Sequence, residues 1–123
     1  MNNTNNKVYI IAEAGINHNG ELKTALEMVK YAKNMGADCI KFQAFEIDKL
    51  LSKEANSAEY QKKETGKSKQ KDVLKDLQLT RNELKDLFIE CKKLRIDFLC
   101  TAFDEDLLKY LVSLGMTKIK IPS

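Results

Sequence analysis

The sequence predicts an α/β fold of the (β/α)8 TIM-barrel type, of which this chain carries only the first half. Three observations point there. Short apolar runs alternate with amphipathic stretches in the order β-α-β-α-β-α-β, which calls for parallel strands joined by right-handed helical crossovers. Polar residues, namely Glu13, Lys41 with Gln43, Thr101 and Lys120, fall at or near the C-terminal ends of successive strand runs. A doubly wound sheet would satisfy the alternation as well, but in a barrel those ends converge on one mouth, where the chemistry takes place. Finally, the chain has 123 residues, whereas a complete barrel needs about 250, so four strands are expected and the sheet cannot close.

Val8-Tyr9-Ile10-Ile11-Ala12 is a β-branched run of strand length, ended by Gly15. From Leu22 to Asn34, Leu22, Ala25, Leu26, Val29 and Ala32 recur at the spacing of one helix face, and Gly36 stands where a left-handed C-terminal cap belongs. Asp38 to Gln43 reads as a second strand. Residues 46–79 are polar, lysine-rich and interrupted by Gly66, with short helical fragments expected around Ser57–Lys63 and Asp72–Leu77. A connection of that length inside a compact domain is typically functional or mobile. Thr80-Arg81-Asn82-Glu83 has capping-box spacing and precedes a helix with Leu84, Leu87, Phe88, Cys91 and Leu94 on one face. Asp97 to Thr101 predicts a third strand, Asp104 to Leu114 a third helix closed by Gly115, and Lys118 to Ile121 a fourth strand.

Composition excludes several classes of function. At 43% hydrophobic and 32% charged the chain is globular, and no apolar run approaches the roughly 18 residues of a membrane helix. Met1 to Lys7 is polar and lacks the apolar core of a signal peptide, so a cytoplasmic protein is expected. The net charge of +3 is local: Lys62, Lys63, Lys67, Lys69 and Lys71 crowd one stretch against Glu64. No aromatic residue interleaves them, which argues for a solvated loop and against nucleic-acid binding. Cys39, Cys91 and Cys100 are odd in number and lack metal-ligand spacing, and they predict reduced core thiols.

Lys41 lies between Ile40 and Phe42, and Lys120 between Ile119 and Ile121. Strands of a parallel sheet covered on both faces are normally apolar throughout, so a lysine there is tolerated when it meets an anion such as phosphate or carboxylate. Glu13 closes the first strand, where a carboxylate can orient a hydroxyl or a water, serve in proton transfer, or pair with Lys41 or Lys120. Gln43 and Thr101 supply neutral hydrogen-bonding groups suited to sugar hydroxyls or phosphate oxygens. His18, the single histidine, cannot build a two-histidine metal site; it is expected to hydrogen-bond within its loop, with a substrate contact as the alternative. Gly15 and Gly20 have P-loop spacing, but Glu21-Leu22 stands where Lys-Ser/Thr is required.

The segments Ile11 to Gly20 (IAEAGINHNG), Lys41 to Phe45 (KFQAF), Thr101 to Glu105 (TAFDE) and Lys120 to Ser123 (KIPS) together resemble the sialic acid synthase family, which includes N-acetylneuraminate, legionaminate and pseudaminate synthases. Ala58-Glu59-Tyr60-Gln61 resembles its bacterial members. The likeness runs in register from about Val8 to Ser123. It implies that residues 1–123 are the N-terminal half of the catalytic barrel, without the remainder and the small C-terminal domain, and not active alone. The resemblance further implies condensation of phosphoenolpyruvate with an open-chain N-acetylated amino sugar, a divalent metal (manganese or magnesium) whose ligands are not in this chain, and a homodimeric complete enzyme. By the same resemblance Lys41, Thr101, Lys120 and Ser123 match positions that hold phosphoenolpyruvate, while Glu13 and Gln43 match the sugar and metal-water side. Glu13, Lys41 and Lys120 are the expected catalytic residues, and Gln43, Thr101 and Ser123 the expected substrate contacts. Two alternatives stand beside this: a related synthase acting on a phosphorylated aldose, and a non-catalytic anion-binding remnant. The chain departs from the family at Cys100-Thr101-Ala102-Phe103, where Ser-Thr-Pro-Phe is usual, losing a hydroxyl and the fixed φ of proline.

Overall fold

The computed structural model describes residues 6–54 and 71–123. Strands β1 (Ile11–Gly15), β2 (Cys39–Ala44) and β3 (Asp97–Ala102) form one sheet in that order, and both neighbouring pairs are parallel. Helix α1 (Leu22–Asn34) connects β1 to β2. Helices α2 (Ile47–Glu54) and α3 (Arg81–Leu94) lie between β2 and β3, and α4 (Glu105–Leu114) follows β3. The expected alternation is therefore present as far as α4. Residues 71–76 are also helical, at the place of the second expected fragment. The Ser57–Lys63 fragment, the Ala58–Gln61 motif and Lys62, Lys63, Lys67 and Lys69 fall outside the described residues.

Local chemistry accounts for the helix ends. Thr80 accepts from the Glu83 N–H at 3.2 Å while the Glu83 carboxylate accepts from the Thr80 N–H at 2.8 Å, closing the capping box that the spacing predicts. Asp104 caps α4 by accepting from the Leu107 N–H at 2.8 Å. That helix ends on Gly115 at φ 118°, where a Cβ would stand 2.9 Å from the Phe88 ring. The core lies between sheet and helices. Phe42 and Phe98 stack at 6.1 Å, Phe88 of α3 meets Phe98 edge-on at 5.8 Å, and Val29, Leu84, Leu87, Leu107 and Leu111 are buried with them.

The structure departs from expectation in three places. The first strand begins at Ile11 rather than Val8. The Ile10 carbonyl already accepts from the N–H groups of Asp38 and Cys39, and its N–H is taken by the Asp38 carboxylate at 2.8 Å, so the ladder opens one residue later. Val8, Tyr9 and Ile10 have strand propensity but no strand partner. The fourth strand is absent: residues 116–123 carry no ladder. A period-2 pattern specifies which side chains would share a face but makes no strand without a partner. Side chains hold this segment instead. Lys118 reaches Asp97 at 3.3 Å and lies 5.0 Å from the Tyr9 ring centroid, while Tyr9 donates to Asp97 at 2.5 Å. The Tyr9 bond first, and Lys118 second, hold the Asp97 carboxyl below its ordinary range. The third departure is α2, which sequence periodicity did not pick out.

Thr80→Ala removes the hydroxyl that accepts from the Glu83 N–H and keeps the backbone N–H of the box, and it is expected to lower unfolding free energy by about 1 kcal/mol. Urea denaturation followed by far-UV circular dichroism measures this. An unchanged midpoint would mean that the cap contributes nothing to α3.

Candidate active site

Residues paired across a parallel ladder stand side by side, and successive residues along a strand alternate between faces. Glu13 pairs with Lys41, Lys41 with Leu99, and Gln43 with Thr101. These polar residues therefore share the sheet face opposite Ile40, Phe42 and Phe98, toward the C-terminal ends of the strands. Four of the six expected site residues meet there. Lys41 Nζ stands 2.8 Å from Glu13 Oε2, with the lysine side chain 19% exposed and the glutamate 48%. An ammonium carries three donors, so one carboxylate partner leaves capacity for an anionic ligand. Thr101 is buried, and Gln43 half-buried.

The β1 end is shaped by glycine. The β1–β2 register slips between Glu13 and Gly15, so that Gly15 pairs with Phe42. Gly15 lies at φ +55°, and a Cβ there would stand 3.3 Å from Glu13 Oε1, against the carboxylate that meets Lys41. At the other end of the loop Gly20 lies at φ +76°, and a Cβ there would meet the Asp76 carbonyl oxygen at 1.9 Å. The chain after β1 and the backbone at residues 76–77 thus approach as only a glycine permits.

His18 behaves as a loop hydrogen-bonder, as expected. It is 1% exposed, its Nδ1 accepts from the Gly20 N–H at 2.9 Å, and its ring lies 6.1 Å from that of Phe42. Burial lowers its pKa, with Glu83 opposing. Neutral His18 with Nδ1 as acceptor is therefore the form that the fold accommodates.

Lys120 and Ser123 are not brought to this cluster. Both are exposed, and Lys120 Nζ donates to the Ile121 carbonyl at 2.6 Å. Their placement follows from the missing fourth ladder. The three cysteines are free and buried, and burial pushes the Cys91 and Cys100 thiols up to about 12, the reverse of a reactive thiolate. Among the described residues no group of three or more His, Cys, Asp or Glu could hold a metal ion. The described residues therefore do not fit the divalent metal that the resemblance implies. Sequence reasoning missed Glu46, Lys49, Arg81 and Tyr110 as groups near the strand ends. Glu46 and Arg81 lie 35 positions apart, so no local spacing could signal their pairing.

The parallel sheet, with a carboxylate–ammonium pair and neutral hydrogen-bonding groups at its strand ends, defines an α/β protein whose polar side chains gather at one end of the sheet. Residues 28–123 match the model of the NeuB family, and the chain belongs to that family. It is 46% identical over 116 residues to N,N'-diacetyllegionaminic acid synthase of Legionella pneumophila, covering 94% of this chain and 33% of that one. Its identity to the Campylobacter jejuni protein of the same name is 41% over 118 residues, 95% of this chain and 35% of that one. The crystal structure of N-acetylneuraminic acid (sialic acid) synthetase from Leptospira borgpetersenii serovar Hardjo-bovis, in complex with citrate, superposes with a TM-score of 0.76. The two are 31% identical, over 94% of this chain and 36% of that one. The chain spans about a third of the length of these relatives. Among the described residues no helix is long and apolar enough to cross a membrane.

The buried His18 makes stability depend on pH. Its folded pKa lies below the ordinary 6.5, so below 6.5 the unfolded chain binds the proton more readily, and stability falls as pH drops through that window. Asn at position 18 offers a side-chain oxygen near the place of Nδ1 and does not titrate. In urea titrations at a series of pH values, His18→Asn should flatten the loss of stability between neutral pH and about pH 5. An unchanged slope would place the acid sensitivity elsewhere.

Proposed function

We propose that the chain supplies the N-terminal half of a (β/α)8 barrel in a nonulosonic acid synthase. The complete enzyme condenses phosphoenolpyruvate with an open-chain N-acetylated amino sugar, giving a sialic-type acid and inorganic phosphate. A bond forms between C3 of the enol pyruvate and the aldehyde carbon, whose oxygen takes a proton. Water adds at C2, and phosphate departs from that carbon. The observation that carries this reading is the Lys41–Glu13 pair at 2.8 Å, beside Gln43 and Thr101 at the ends of parallel strands in a chain of this family.

In this reading the half-buried Lys41 ammonium neutralises the phosphate or carboxylate of phosphoenolpyruvate, and Thr101 hydrogen-bonds the same ligand. Glu13 keeps Lys41 in place and orients a hydroxyl or water on the sugar side, with Gln43 next to it. In the closed barrel Lys118 to Ile121 pairs with β3 as a fourth strand, which brings Lys120 and Ser123 to the same mouth. The complete enzyme is a homodimer in the cytoplasm, and residues 1–123 alone do not turn over.

Phosphate release from phosphoenolpyruvate that depends on the amino sugar tests the reading in the complete enzyme. Truncating a buried charged contact costs roughly 2–5 kcal/mol, so Lys41→Met is expected to lower kcat/KM for phosphoenolpyruvate about 30-fold or more. Lys41→Arg should restore little, because a planar fork does not occupy the place of a compact ammonium. Lys85→Met, on the exposed face of α3, serves as the control. Near-normal kinetics in Lys41→Met would remove the lysine from the site.

A further inference from the structure

Along the C-terminal edge of the sheet a group of charged side chains lies beside the candidate site. Glu46, in the turn after β2, accepts from Arg81 Nε at 3.0 Å and from Arg81 Nη2 at 2.5 Å, both through Oε1. Tyr110 of α4 donates its hydroxyl to the Arg81 carbonyl at 2.9 Å, and its ring centroid lies 5.2 Å from the same guanidinium. Lys49 of α2 extends the group, standing 2.9 Å from Asp106, 4.0 Å from Asp104 and 3.8 Å from Glu46. Gln78 accepts from the Ile47 N–H at 3.3 Å. The Asp104 side chain is 8% exposed and caps α4, so the group is anchored at a point with little freedom.

These contacts sit one turn beyond the site. Glu46 follows Gln43 in the Ala44-Phe45-Glu46 turn, and Asp104 follows Thr101 in the Ala102-Phe103-Asp104 turn. An isolated exposed ion pair contributes little. Here, however, one guanidinium gives two N–H bonds to a carboxylate and also lies over an aromatic ring, a combination that arginine's planar fork permits and lysine's point charge does not. The pair ties the turn after β2 to the start of α3, and Lys49 ties α2 to the turn after β3.

We infer that Arg81 is a positioning residue: acting through Glu46 and Lys49, it holds the two strand-end turns and so sets the spacing of Gln43 and Thr101. Its effect on turnover rests on the synthase reading proposed above, because small misplacement of binding groups matters only where a reaction depends on them.

Two measurements separate this inference from that reading. In the complete enzyme, Arg81→Met should raise KM for phosphoenolpyruvate about fivefold to tenfold, in line with coupling between contacting residues. KM does not depend on the fraction of enzyme that folds, so a purely structural role would leave it unmoved. Arg81→Lys should stay near the Met value, and Tyr110→Phe, which removes one hydroxyl, should raise KM about twofold to threefold. Lys30→Met, on the exposed side of α1, should change nothing. In the 123-residue chain, amide spectra of Arg81→Met should show displaced Gln43 and Thr101 resonances, and those of Lys30→Met should not. Active wild-type enzyme with an unchanged KM in both Arg81→Met and Tyr110→Phe, or unmoved Gln43 and Thr101 amides, would overturn the positioning role. Displaced amides in Arg81→Met of the 123-residue chain, together with a complete wild-type enzyme that releases no phosphate, would support positioning and overturn the synthase reading instead.

Discussion

Parallel pairing of β1, β2 and β3 decides nearly everything else about this molecule. Parallel neighbours keep their side chains in rows, so a residue on one strand meets its ladder partner on the next. The row Glu13–Lys41–Leu99 and the row Gln43–Thr101 follow from that register alone. The alternate positions Ile40, Phe42 and Phe98 are turned to the other face, where they are buried in the common core with Val29, Leu84 and Leu87. One face thus becomes apolar and packed, and the other is left to carry polar groups. A one-residue slip of β2 would exchange Lys41 with Ile40 or Phe42, placing an ammonium in the core. The fold and the candidate site are specified by the same constraint.

A half-buried lysine has to be compensated, and Glu13 does this at 2.8 Å. The pair is asymmetric: the ammonium is mostly covered, and the carboxylate half open. That asymmetry suits a site where an incoming anion meets the lysine without first displacing a deeply buried carboxylate. Glycine supports the arrangement at both ends of the loop after β1, since Gly15 spares the Glu13 carboxylate a close Cβ and Gly20 admits the backbone of Asp76.

Much of this was legible in the residues. The α1 face, the capping box at Thr80, the Asp104 and Gly115 ends of α4 and the buried cysteines are local signals, and each depends on neighbours within about four positions. Strand boundaries were less legible, because a strand is defined by its partner. Val8 to Ile10 have the propensity but lack the ladder, and Lys118 to Ile121 have the alternation but are held by Asp97 and Tyr9 instead. Helix α2 was not picked out because its eight residues begin after Glu46, without a Ser, Thr, Asp or Asn cap. The strand-end polar residues pointed to Glu13, Lys41, Gln43 and Thr101, and the register brings those four together. Long-range pairs such as Glu46–Arg81 leave no mark in a sequence, since nothing local requires them.

The most direct test is a crystal structure of the complete enzyme with phosphoenolpyruvate bound. An oxygen of the ligand is expected at charge-assisted hydrogen-bond distance, about 2.7–2.9 Å, from Lys41 Nζ, with the Thr101 hydroxyl on the same ligand. Phosphoenolpyruvate bound away from the ends of β2 and β3, with Lys41 contacting Glu13 alone, would contradict the assignment of this strand-end cluster as the site.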